Sequence, residues 1–232
     1  MFEHLGEELI LRVSIGQVSF RFDAVTIGMS WVVIFLLVIF ALVLRRGLRE
    51  DIEKKPTRVQ AVLDALVNLL RRQLTGNFAS ERLAREFFPF ISALFLFVLF
   101  CNWLSVIPYC KSPTKDLNVT LSLALLVLGV SQWKAFRMKG GKKYLKGFVE
   151  PYPFLLPLNI IGEVAKPISH SFRLFGNVFG GAILIAVISS GKITQLFLPA
   201  GLNAFYGLFI GAIQAFVFAL LAVAYINVAV ES

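Results

Sequence analysis

LNIIGEVAKPISHSFRLFGNVFGG, residues 158–181, is apolar enough to sit in a bilayer and yet carries Glu163, Lys166, His170 and Arg173. On a helix turning about 100° per residue, these four and Asn177 lie within about 80° of one another. The opposite side is Ile160, Ile161, Val164, Ile168, Phe172, Phe175 and Phe179. An ionisable side chain at membrane depth costs at least ~2.5–3.5 kcal/mol, and such residues mark ion paths. The competing reading is a buried or interfacial helix of a soluble protein, with the stripe facing water and Lys166 snorkelling.

The rest of the chain weakens that alternative. Of 232 residues, 57% are hydrophobic and 23 are Phe. The mean hydropathy is +0.77. Charges cluster between long apolar runs, the pattern of a polytopic all-α membrane protein. The net charge of +9 could signal nucleic acid, but the basic residues sit beside the apolar spans. No basic n-region followed by an apolar h-region opens the chain. Cys101 and Cys110 fit no metal or redox spacing, so neither a metal nor a cofactor is expected.

Spans are expected at about 27–44, 87–107, 117–133, 154–188 and 200–230. VSIGQVSFRFDAV (13–25) alternates as a short strand or hairpin does. Glu3, Glu7, Glu8 and Asp23 read as a solvated face. Residues 56–75 keep Val59, Val62, Leu63, Leu66, Leu69 and Leu70 at helical spacing but are too polar to span, and are expected to lie on the membrane surface. Pro89 falls in the first turn of the second span, where a missing N–H is tolerated. KAFRMKGGKKYLK (134–146) reads as a basic loop with a Gly-Gly turn. Residues 1–26 form an N-terminal segment, and 27–232 a single membrane domain.

Ten Lys and Arg lie in residues 45–86 and six in 134–147, against two in 1–28 and two in 108–116. Positive-inside asymmetry places the two basic stretches in the cytoplasm and the N-terminus outside. In the last span, Asn203, Gly207, Gly211, Gln214, Phe218 and Tyr225 share one face. Gly207 and Gly211 form a small-xxx-small pair, expected to let this helix pair closely with the charged one.

KPISHSFRLFGN (166–177), GAIQAFVFALLAVAYI (211–226), PTKDLNVTLSLAL (113–125) and FFPFISALFLFVLFCNWLSVIP (87–108) together resemble subunit a of F-type ATP synthase, in that family's order. The resemblance covers residues 85–230 well and 1–84 more loosely. It implies a first transmembrane helix, a surface helix, a transmembrane hairpin and two long tilted helices. It implies a noncatalytic stator subunit carrying protons through two half-channels past a rotating c-ring. Its partners would be the c-ring, the peripheral-stalk b subunits, the rest of the complex and the bilayer of a bacterial inner membrane, with no nucleic acid. Arg173 would face the ring, with Gln214 and Asn177 near it. Asp116 and Asn118 would form a polar pair at the outer mouth. Glu163, His170, Lys166 and Asn203 are further ion-path candidates. Relatives often carry acids or His where this chain has Asn159, Ala182 and Gly207, which leaves a sodium-moving version of the same subunit as an alternative. A secondary transporter would show internal repeats, and none is visible. A scaffold whose stripe only binds neighbours is the other rival. No nucleotide loop or nucleophile–base spacing points to an enzyme.

Overall fold

The computed structural model describes residues 10–15, 18–47, 58–107, 110, 112–149, 152–189 and 198–231. Glu3, Glu7, Glu8, Lys111 and the 190–197 linker with Lys192 lie outside them, as do residues 48–57 after the first span. The chain is a polytopic helical membrane protein preceded by a small hairpin. Strands β1 (Ile10–Ile15) and β2 (Val18–Asp23) pair antiparallel, Ile15 opposite Val18. Helices α1 (Ala24–Gly47), α2 (Arg58–Leu70), α3 (Glu81–Leu104), α4 (Leu117–Lys139), α5 (Gly141–Val149), α6 (Leu156–Ser189), α7 (Leu198–Ala204) and α8 (Gly211–Glu231) follow. Among the described residues, five segments are long and apolar enough to cross a membrane: Ala24–Val43, Glu81–Leu104, Leu117–Lys139, Leu156–Ile188 and Gly201–Val230.

Local chemistry sets several boundaries that hydropathy misplaces. Asp23 is no idle surface charge: its carboxylate accepts from Val25 N at 2.9 Å and Thr26 Oγ1 at 3.0 Å, and so caps α1. α3 starts at Glu81, because Ser80 Oγ accepts from Leu83 N at 3.3 Å. Pro89 therefore lies inside the helix and not in its first turn. α4 runs on to Lys139 and ends at Gly140, whose φ of 77° is one that residues with a side chain rarely adopt. The stretch expected as a basic loop is thus largely helical, as the end of α4 and α5. The last span is not one uniform α-helix: Phe205–Ile210 is π-helical between α7 and α8. Arg71–Thr75 after α2 is another π-turn.

The core lies where α3, α4 and α8 meet. Ala215, Ala219 and Ala222 of α8 are fully buried with Phe218, Val223 and Ile226, against Ile91, Leu94 and Val98 of α3 and Val127 of α4. In a bilayer, helices associate through close van der Waals packing and polar contacts, and small residues permit that approach. α1 packs through Val33 on Cys101 and Leu104, while Trp31 and Phe35 stay exposed. Lys134 pairs with Glu86 to join α4 to α3. Asn227 Nδ2 donates to Asn77 O at 2.7 Å and ties the end of α8 to the turn before α3.

The glycine pair works differently from expectation. A Cβ on Gly207 would meet Val106 Cγ2 at 2.2 Å, and one on Gly211 would meet Asn102 Cβ at 2.8 Å. Both glycines therefore admit the end of α3, not α6. Asn102, buried in α3, donates from Nδ2 to Gly211 O at 2.9 Å and accepts at Oδ1 from Thr114 at 2.8 Å. Ser112 Oγ reaches Cys101 O at 2.7 Å and Thr114 Oγ1 at 2.8 Å. This buried chain fastens the α3–α4 connection to the start of α8.

Gly207→Ala should lower the thermal stability of the purified protein by roughly 1–3 kcal/mol, the usual cost of overpacking. Adding Val106→Ala should restore most of the loss. A single variant as stable as the parent would refute this contact.

Candidate functional site

The 34-residue α6 carries the polar stripe, with Pro167 inside the helix. Its apolar side is open: Ile160, Ile161, Val164, Ile168, Phe172 and Phe179 are exposed. The stripe does not act as one unit. Its members turn toward different neighbours, because α4 packs along one flank of α6 and α8 along the other.

Glu163 and Lys166 are half-buried and ion-paired. Gln132 of α4 donates from Nε2 to Glu163 Oε2 at 2.5 Å. Tyr144 of α5 donates from its hydroxyl to Gln132 Oε1 at 2.9 Å. Burial, and then the Glu163 charge, raise the Tyr144 phenol above its ordinary value. The Glu163 carboxylate thus sits in a chain that joins three helices. Gln132 and Tyr144 were not singled out from the sequence. The one available signal was a polar side chain, Gln132, within an apolar span.

His170 is buried, and both ring nitrogens lack a hydrogen-bond partner. Its ring stands edge-on to Phe218, with centroids 3.7 Å apart, and 5.4 Å from Tyr225. The next residue, Ser171, shares a buried hydrogen bond with Thr120 of α4 at 2.9 Å. Arg173 is exposed, and no described residue hydrogen-bonds or ion-pairs with it.

Asn177, one turn on, donates from Nδ2 to Gln214 Oε1 at 2.6 Å. Gln214 is buried. The pair borders a pocket of about 30 Å³, also lined by Asn102, Ser105, Lys115, Asn203 and Tyr206. That is space for about two waters at ~10–15 Å³ each. Ala182 and Gly207 line the same pocket. Asn203 donates to Val106 O at 3.3 Å. Asp116 and Asn118 lie outside the lining: Asp116 Oδ1 accepts from Asn118 N at 2.9 Å and caps α4. At 1.5 Å per residue, Arg173 lies ~15 Å along the axis from Glu163 and ~6 Å from Asn177. It therefore separates the Glu163 cluster from the pocket.

Comparison of the sequence with known proteins points to a family. The family model described as ATP synthase A chain matches residues 27–227. A protein of Crocosphaera subtropica named ATP synthase subunit a 1 is 38% identical over 201 residues, covering 87% of this chain and 84% of its own. One of Acidothermus cellulolyticus named ATP synthase subunit a is 36% identical over 175 residues, covering 73% of this chain and 64% of its own. The chain belongs to the ATP synthase A chain family.

Proposed function

We propose that this chain is the noncatalytic stator subunit through which ions, by preference protons, cross the membrane past a rotating ring of c subunits. The observation that carries the reading is Arg173, exposed on α6 and without a hydrogen-bond or ion-pair partner among the described residues, with the Asn177–Gln214 pair one turn beyond. A ring carboxylate crosses lipid neutral, because bare charge is expensive there. Beside a fixed guanidinium the ionised form is favoured, so the arriving site gives up its ion. The same fixed charge blocks a direct leak between two aqueous half-channels. Arginine suits the task because it stays protonated when partly desolvated.

In this reading the pocket with Asn177, Gln214 and Asn203 belongs to the outer half-channel. Glu163, with Lys166, Gln132 and Tyr144, belongs to the inner one. His170 packs the wall between α6 and α8, and the Asp116–Asn118 turn stands near the outer mouth. Residues 27–232 form one ion-translocating domain in a bacterial cell membrane, with residues 1–26 outside. The peripheral-stalk b subunits and the rest of the synthase are its other partners, and ATP chemistry takes place on those partners. Protons are favoured over sodium because a sodium cage needs several converging oxygen ligands. Glu163, Asn159, Ser169 and Asn177 are instead strung along ~27 Å of α6.

Arg173→Ala should reduce gradient-driven ATP synthesis by on the order of a hundredfold or more, the scale of losing one preorganised electrostatic group. The complex should still assemble, and Arg173→Lys should also be impaired. Normal coupled synthesis in Arg173→Ala would sink the proposal.

In reconstituted vesicles, ATP hydrolysis should acidify the lumen without sodium, and a protonophore should collapse the signal. A strict sodium requirement, untouched by protonophore, would replace protons with sodium.

In a background without Cys101 and Cys110, Arg72→Cys and Lys146→Cys should react with an impermeant maleimide only from the cytoplasmic side. Labelling of both from outside would invert the topology.

A further inference from the structure

Among the described residues, no carboxylate lines the pocket beside Asn177 and Gln214. Its described lining offers amides, a serine hydroxyl, Tyr206 and one amine, Lys115. Gly207 cannot supply an acid there, because any side chain would drive into Val106. Ala182 supplies none either. Amides and hydroxyls hand a proton along but do not hold one.

Lys115 sits in the short 3₁₀ turn Pro113–Lys115, just before α4. The turn is fastened by the buried Ser112–Thr114–Asn102 chain, which fixes where the lysine enters the pocket. Lys115 is half-buried, and no described residue hydrogen-bonds or ion-pairs with its ammonium. Its neighbour Asp116 is engaged in capping α4 and the Asn118 amide. From the other packed elements the described lining presents neutral groups: Asn102 of α3 and Ser105 just after it, Asn177 of α6, Asn203 of α7, Gln214 of α8, and the Tyr206 phenol of the π-turn.

We propose that Lys115 is the proton-holding group of this pocket, taking a proton from the outer aqueous phase and passing it on toward the ring. The inference rests on the channel reading above. In the first step the neutral amine accepts a proton from hydronium and leaves water. In the second the ammonium returns that proton through pocket water to the ionised ring carboxylate, leaving amine and carboxylic acid. Burial supports the cycle by lowering the ammonium below the ordinary lysine value.

The test uses the whole synthase in vesicles, with ATP synthesis driven by an imposed gradient and read against outer pH. Assembly is followed by co-purification, and Arg173→Ala runs alongside. Arg stays charged and Gln never titrates, so Lys115→Arg and Lys115→Gln should both lose roughly a hundredfold, the usual scale of a general acid–base group. Lys115→His should recover part of the rate, with its pH optimum moved downward. A normal rate in Lys115→Arg beside a slow Lys115→Gln would reduce the lysine to a fixed charge and overturn the proposal. So would normal rates in all three variants, an equal loss in Lys115→His with no movement of the pH profile, or failure of all three to assemble. Coupled synthesis surviving in Arg173→Ala would instead refute the channel reading itself.

Discussion

A guanidinium exposed on a helix apolar enough to span a bilayer is costly, and much of this chain's arrangement bears on that one fact. At least ~2.5–3.5 kcal/mol must be found from the surrounding fold to keep such a group at membrane depth. The described residues give Arg173 no counter-ion. They give α6 support elsewhere: the Glu163–Lys166 pair and Gln132 at one end, Ser171–Thr120 near the middle, and Asn177–Gln214 beyond Arg173. α6 is thus held along its α4 and α8 sides, while Phe172 and Phe179 stay exposed.

Polar contacts inside an apolar bundle do the positioning because packing alone is permissive. Apolar side chains match lipid tails, so a helix can slide or rotate at little cost. A buried amide that must find its partner cannot. Asn102 holds both the Gly211 carbonyl and Thr114, and thereby couples the α3–α4 connection to the start of α8. The π-helical stretch ends at that same Gly211. Such turns are rare and concentrate at functional sites. Here the turn brings Tyr206 and Gly207 to the pocket that Gln214 also lines.

The two ends of α6 differ in chemistry. The Glu163 end is rich in donors aimed at a carboxylate, and its neighbours include a phenol and an ammonium. The pocket end is built from amides and one lysine, with glycine and alanine where an acid could have stood. A tight glycine contact and a proton-binding side chain compete for the same space at position 207, and packing against Val106 occupies it.

Residue types and their spacing alone determined the helical membrane class, the order of the spans, the amphipathic helix after the first span and the polar stripe on residues 158–181. Apolar runs and a 3.6-residue period are local properties, so they survive without knowledge of neighbours. The LFGN and IQAF segments likewise carried the family. Tertiary structure decided the rest. Helix ends moved because single side chains, Asp23 and Ser80, satisfy the first free N–H groups. Gly207 and Gly211 face α3 and not α6, since small residues advertise a close approach without naming the partner. Five residues on one stripe dispersed to four environments, because a helix face about 80° wide spans more than one neighbour. Gln132, Tyr144 and Lys115 joined the site from distant sequence, and only the packing of α4, α5 and the turn before α4 against α6 and α8 brings them there.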